Sequence, residues 1–260
     1  MRLVVIDGAR YSGSGTIVRQ AVALAALTGC AVKVTNARAR RPKPGLRPQH
    51  VRVIEAIREL VNGETEGVRE GSQEFVFRPG KVASHRRYVW DIGSAGSTVL
   101  LALAVLPVAA YAGKTVHAEI RGGLFQDFAP SFFHLREVVL PILRRMGWRA
   151  QVQMLRPGYV PGGGGILEME VQPLGGPPQP ICLTLAGPVT RVSGIALASH
   201  LRERRVTQRM KDAATKVLAG RGLQPEIELV EDATAVQAGA ALALFADREG
   251  GVRLGADWAG

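Results

Sequence analysis

The chain has 260 residues, 47% of them hydrophobic, with 33 Lys and Arg against 22 Asp and Glu. That length buries a sizeable core in one large or two moderate domains. The net charge of +11 favours a polyanionic partner, nucleic acid before membrane. The longest apolar run, residues 99–112, is too short to span a bilayer and contains Pro107. Residues 1–7 read as a strand without a signal-peptide layout. The short apolar run predicts no membrane partner, and Cys30 and Cys182, isolated and without metal-ligand spacing, fit reduced thiols, so a cytoplasmic location is expected.

In chain order, residues 3–6 form a short apolar strand, followed by the glycine loop Asp7 to Gly15. A helical period over 16–27 stops at Gly29, and 31–35 is a second strand. Next comes a basic loop: Arg38, Arg40, Arg41, Lys43 and Arg47 put five cations into ten residues with no acid between them. Pro42, Pro44 and Pro48 bar a helix there and keep the chain extended. A solvated loop is one reading. The other is a phosphate platform, in which guanidinium forks and one ammonium are held on a stiff backbone. A helix over 49–61 and strands near 66–70 and 74–77 close the unit.

The same order then recurs, with strand 88–91, glycine loop 93–97, helix 98–111, strand 115–120, helix 131–146, and strands 148–155 and 166–171. Asp7 and Asp91, Gly29 and Gly113, and Gly63 and Gly147 each stand 84 residues apart, with Arg38 and Arg121 in step to within one residue. A repeat of βαβαββ order is expected, each unit a four-stranded sheet with two helices on one face. Strand 181–185, a charged helix over 201–218, and strands 226–230 and 241–245 predict a smaller α/β domain. The fold class is α/β (α+β). The expected organisation is a large domain over 1–174 (repeats about 1–80 and 85–174), a smaller domain over 179–250, and a further segment over 251–260.

The loop Gly13-Ser14-Gly15 opens a helix, where free N–H groups and the helix dipole favour an anion. It lacks the residues of a Walker loop, and a tight turn is the alternative. Arg19, one turn on, faces either the same anion or solvent. Gly93 to Ser97 is the equivalent loop of the second unit, and 161–165 is either a flexible hairpin or a place of close backbone approach. The histidines, His50, His85, His117, His134 and His200, show neither metal spacing nor a nucleophile–base pattern. His50 touches a phosphate, caps a helix or packs; His117 is structural.

Taken together, Asp7-Gly8, Gly13-x-Gly15 and Arg19, Arg38-x-x-Arg41-x-Lys43-Pro-Gly-Leu46, Gln49-His50, Gly71-Ser-Gln73, Phe77-Arg-Pro-Gly80, Ile92 to Ser97, Ala129-Pro130 and Pro161 to Gly165 resemble the RNA 3'-terminal phosphate cyclase family. The resemblance implies three βαβαββ repeats with an inserted small domain. It also implies ATP-dependent conversion of an RNA 3'-phosphate to a 2',3'-cyclic phosphate through enzyme-AMP and RNA-adenylate intermediates. ATP, Mg2+ and RNA 3' ends are the implied ligands. Gly13, Ser14, Gly15, Arg19, Arg38, Arg41, Lys43, Gln49 and Pro130 are the implied nucleotide- and phosphate-binding residues.

Ser12, Thr16, Leu103 and the stretch Leu124 to Asp127 depart from the family pattern at nucleotide- and metal-contacting positions. The resemblance sets Gly255 to Asp257 at the opening of a third repeat and the histidine nucleophile beyond Gly260. A C-terminally truncated chain that does not adenylate itself is therefore expected. The alternatives are a non-catalytic cyclase-like RNA-binding protein of RNA processing or ribosome assembly, and a relative of the enolpyruvyl transferases.

Overall fold

The computed structural model describes residues 1–83 and 87–260, so His85 lies outside the described residues. Strands β1 (Leu3–Asp7), β2 (Ala31–Thr35), β3 (Glu64–Glu66) and β4 (Phe75–Arg78) form one sheet in the order β1-β2-β4-β3. Strands β5 (Arg87–Asp91), β6 (Val116–Gly122), β7 (Ala150–Arg156) and β8 (Gly165–Val171) form a second in the order β5-β6-β8-β7. In each, the first pair is parallel and the other two antiparallel. The repeat read from the sequence is therefore a repeat in topology. Its marker residues also act alike: Asp7 Oδ1 accepts from the Ala9 N–H (3.0 Å), and Asp91 Oδ1 accepts from the Gly93 N–H (2.8 Å).

Helices α1 (Gly15–Thr28) and α2 (Pro48–Leu60) belong to the first unit, and α3 (Thr98–Ala110) to the second. Gly29, with φ 68°, ends α1 in the left-handed conformation its sequence position suggested. Helix α3 is apolar all round because it is enclosed: Val99, Leu101, Ala102, Val105 and Leu106 are buried, and the helix packs on both α1 and α2. One continuous core runs from Val18 and Ile54 through Trp90 and Leu101 to Phe125 and Leu167.

The helix expected over 131–146 is interrupted. It comprises α4 (Phe132–His134), a π-helical turn (Leu135–Val139) and α5 (Leu140–Arg145). Pro141 has no N–H to give and its ring would meet the Glu137 carbonyl in a regular helix. Widening the turn avoids this, and the Leu140 N–H donates to the Leu135 carbonyl five residues back.

The third sheet has the order β10-β9-β11-β12, from β9 (Val189–Ser199), β10 (Pro225–Asp232), β11 (Gly239–Arg248) and β12 (Arg253–Ala259). Alternation along β9 turns Ile195 and Leu197 into the main core and Ala196 toward α6 (Val206–Ala219). The strand expected over 181–185 does not form. That stretch follows Pro177, Pro178 and Pro180, finds no sheet edge, and leaves Leu185 exposed. The charged helix expected over 201–218 starts later, after a 3-10 turn (Arg202–Arg204) and Arg205 at φ 50°. Residues 255–257 lie within β12, paired antiparallel to β11, so the expected boundary at 250–251 falls in the hairpin joining these two strands. Among the described residues no helix is long and apolar enough to cross a membrane.

Candidate functional site

The basic loop is not loose. Its backbone is clamped by the connection between β3 and β4: the Leu46 N–H donates to Ser72, the Gly71 N–H to Leu46, and the Ala37 N–H to Gln73, all at 2.8–2.9 Å. Gly45 makes that approach possible, since a Cβ there would stand 2.1 Å from the Gly71 carbonyl oxygen. Arg38 folds back within the loop, its Nη1 donating to the carbonyls of Lys43 (3.0 Å) and Gly45 (2.6 Å). Proline stiffness, backbone clamps and this guanidinium together fix the loop in one shape.

The loop delivers the chain into α2, whose first turn touches two other helix starts. His50 is buried, and its ring lies against Gly15, the first residue of α1, where an added Cβ would fall 1.9 Å from Nε2. Its Nδ1 accepts from the Arg47 N–H at 3.0 Å, which leaves the proton on Nε2. The neighbouring residue, Gln49, reaches the other way: its Oε1 accepts from the Ser97 N–H (3.2 Å) at the start of α3, and its Cβ abuts Gly96. Two adjacent residues of one helix thus join the glycine loops of both repeats. Three helix N-termini, each carrying partial positive charge, meet here.

Four cations around this junction lack carboxylate partners. Arg41 Nη2 donates to the Ser12 carbonyl at 3.4 Å, tying the basic loop to the first glycine loop. Arg19 Nη2 donates to Thr16 Oγ1 at 3.4 Å. Ser14 accepts from the Thr16 N–H as the cap of α1. Lys43 stands exposed at the outer bend. Among the described residues, Arg19, Arg38, Arg41 and Lys43 have no carboxylate within ion-pair distance, whereas Arg47 holds Glu70 at 2.9 Å. The crowding is visible in the protonation equilibria. Burial, then the Arg38 charge, brings Arg19 down to about 10. Burial, then Arg19, Arg38 and Arg47, pushes His50 down to about 3, so its imidazole is neutral at ordinary pH.

The remaining candidates fall elsewhere. Pro130 adjoins a separate cavity of about 350 Å³ lined by Gln126, Phe128, Ala129, Ser131, Asp257 and Trp258, where the Ser131 N–H donates to Asp257 Oδ2 at 2.7 Å. The 161–165 loop is a close approach: a Cβ on Gly163 would stand 2.9 Å from the Ala95 Cα in the second glycine loop. Beyond His50, the described histidines are engaged away from the junction. His117 lies 3.7 Å from Glu170, His134 lies 3.8 Å from Asp257, and His200 Nε2 lies 2.7 Å from the Ala235 carbonyl. Among the described residues no three His, Cys, Asp or Glu side chains converge as a metal site. The bond from Gln49 to Ser97, which spans 48 residues, left no mark in the sequence, and neither did the part Arg47 takes in the field at His50.

Fold and junction together define a repeated α/β protein whose two principal units meet at a cation-lined cluster of helix starts. The family model for RNA 3'-terminal phosphate cyclase matches residues 10–251, and the chain belongs to that family. The chain is 37% identical over 255 residues to the RNA 3'-terminal phosphate cyclase of Methanothermobacter thermautotrophicus, covering 98% of this chain and 73% of the relative. The Pyrococcus furiosus protein of the same name gives the same figures. That of Nitrosospira multiformis is 39% identical over 214 residues, 82% of this chain and 60% of the relative.

Proposed function

We propose that the junction formed by Gly13, Ser14, Gly15, Arg19, Arg38, Arg41, Lys43 and Gln49 binds ATP and the 3'-phosphate end of an RNA. The reaction it serves is the ATP-dependent formation of a 2',3'-cyclic phosphate. The observation carrying this reading is the set of four cations without carboxylate partners beside the joined glycine loops. Such a site is self-repelling until an anion enters it, and a triphosphate or a phosphate terminus supplies that charge.

In that reaction AMP is transferred from ATP, with release of pyrophosphate, to the RNA 3'-phosphate, and no described residue is assigned as the carrier of the enzyme-AMP intermediate that the family resemblance implies. The vicinal 2'-hydroxyl then bonds to that phosphorus, the bond to AMP breaks, and the hydroxyl proton passes to solvent. Attack within one ribose needs orientation more than a strong nucleophile. Arg41 and Arg19 would neutralise the phosphates, and the Gln49 amide N–H groups, left free because its Oε1 is what accepts from the Ser97 N–H, would donate to one. Pro130 would border the nucleotide from its neighbouring cavity. Since the described side chains form no metal cage, Mg2+ would enter on the ATP phosphates.

The test is binding of one RNA sequence ending in either a 3'-phosphate or a 3'-hydroxyl. The phosphorylated end should bind more tightly, and Arg19→Met or Arg41→Ala should erase the difference. Equal affinities for the two ends in the unmodified chain would refute the assignment.

A non-catalytic RNA-binding role is the second reading, favoured by the state of His50. Among the described histidines it is the one seated at the junction, and its Nδ1 lone pair is already taken by the Arg47 N–H. On either reading, incubation with ATP labelled at the α-phosphate should leave no covalent label on His50; a label mapped to it would contradict the geometry.

A further inference from the structure

A second group of cations lies far along the chain from the junction. Residues 202–221 carry seven, Arg202, Arg204, Arg205, Arg209, Lys211, Lys216 and Arg221, against two acids, Glu203 and Asp212. All but Lys211, which is half-buried, are exposed. Among the described residues none of the seven has a carboxylate within ion-pair distance, whereas Arg52, Arg58, Arg78, Arg121 and Arg191 each hold one and Arg253 holds two. Arg205 is the residue that caps the start of α6, and its carbonyl accepts from the Arg209 N–H at 3.0 Å, so the two stand one turn apart. The first turn of α6 carries no acid, although acids are the residues that stabilise that end. Nothing in the fold itself calls for this arrangement.

The position of the group is informative. Strand β9 ends at Ser199, whose hydroxyl meets the Tyr159 hydroxyl at 2.9 Å, and the arginines come directly after it. Tyr159 opens the glycine-rich loop whose Gly162 N–H donates to Gln237 (2.7 Å) on one side and whose Gly163 abuts Ala95 on the other. Ala95 belongs to the glycine loop held by Gln49. A continuous relay of contacts therefore leads from the junction, across residues 159–163, to the start of α6.

We infer that the exposed arginines at the start of α6, Arg204, Arg205 and Arg209, form a second contact surface for the phosphate backbone of a single-stranded RNA whose 3' end occupies the junction. This rests on the proposed function and extends it from the end of the RNA to its body. A membrane surface fits less well. The apolar face of α6, through Met210 and Ala214, is packed on the third sheet. The exposed positions between 202 and 219 hold charged residues, Ala213, Val217 and Ala219, so one large apolar side chain stands where a row of them would be needed to seat a helix in lipid.

The test uses the full chain and two 3'-phosphorylated RNAs, one of about 20 nucleotides and one of about 4, with affinity followed against salt. In the triple variant R204Q/R205Q/R209Q the salt slope for the longer RNA should fall by about 2, at about 0.7 per lost phosphate contact on a single strand. Its affinity at 0.1 M salt should fall about 10- to 100-fold. The short RNA should bind the variant as it binds the unmodified chain, and R204K/R205K/R209K should keep the slope.

An unchanged slope for the long RNA overturns the inference. So does an equal loss on the short RNA, or tighter binding of the unmodified chain to phosphatidylserine vesicles than to the long RNA. If the unmodified chain binds neither RNA, the proposed function fails first. If it prefers 3'-phosphate ends while the triple variant matches it, only the second surface is refuted.

Discussion

The two repeats use one topological slot in opposite ways. In the first, the connection from β2 to α2 is residues 36–47, exposed at Arg40, Arg41 and Lys43. In the second, the connection from β6 to α4 is residues 123–131, where Leu124 and Phe125 are buried. Both are held by backbone bonds from the hairpin loop of their own sheet: Leu46 and Ala37 to Ser72 and Gln73, and Leu124 and Phe125 to the Gly158 carbonyl. The two connections differ in their side chains. Phe125 lies 5.5 Å from the Tyr159 ring and 5.2 Å from that of Phe133, so the second connection is a packing wedge. Arg38 instead turns its guanidinium onto its own loop's carbonyls, and its counterpart Arg121 is paired with Glu119 at 2.6 Å. A duplicated frame thus gives one copy of the loop to cohesion and leaves the other free to carry charge.

That contrast is sharpest in stability. Phe125→Ala removes a fully buried ring and should cost about 3–5 kcal/mol in urea unfolding, whereas Arg41→Ala on the matching loop should stay within about 0.5 kcal/mol. Similar losses at both would erase the division of labour. Next is the contact between helix starts. Gly15→Ala puts a methyl into the His50 ring and should cost about 1–3 kcal/mol by overpacking. Pairing it with His50→Ala should recover part of the loss, a coupling absent if the two starts do not touch.

The pH dependence comes third and has a definite sign. His50 is held neutral down to about 3 in the folded chain, while in the unfolded chain it takes a proton near its ordinary value. The unfolded state therefore binds more protons between those values, and stability falls as pH drops through that window. At pH 5 the contribution is about 2 kcal/mol relative to pH 7. His50→Asn keeps an acceptor for the Arg47 N–H without the titration and should flatten this part of the profile. An unaltered profile would show that His50 is not the buried neutral imidazole described. The smallest effect is electrostatic: Arg41→Ala should lower the salt slope of RNA binding by about 0.7, while removal of the paired Arg121 should leave it unchanged.

Much of the frame was legible because its signals are local. Strand alternation, the stop at Gly29 and the spacing of Asp7 and Asp91 follow from short-range backbone chemistry that each repeat carries in full. The basic loop was legible for the same reason, since prolines and cations stand side by side in it. The failures were also physical. Residues 181–185 have the composition of a strand, yet composition cannot supply a sheet edge to pair with. The break in 131–146 depends on where the Pro141 ring meets a carbonyl a turn earlier.

By itself, the sequence determined the repeated α/β frame and which loop carries charge, because hydrophobic period, turn residues and cation spacing act over a few neighbouring positions. Only the tertiary structure decided that Gln49 and His50 bind two different helix starts, that His50 is neutral, and that Arg38 and Arg41 are left without acids while Arg47 takes one. Those outcomes depend on groups up to 48 residues apart being brought within hydrogen-bond distance in a low-dielectric contact, which no local pattern encodes.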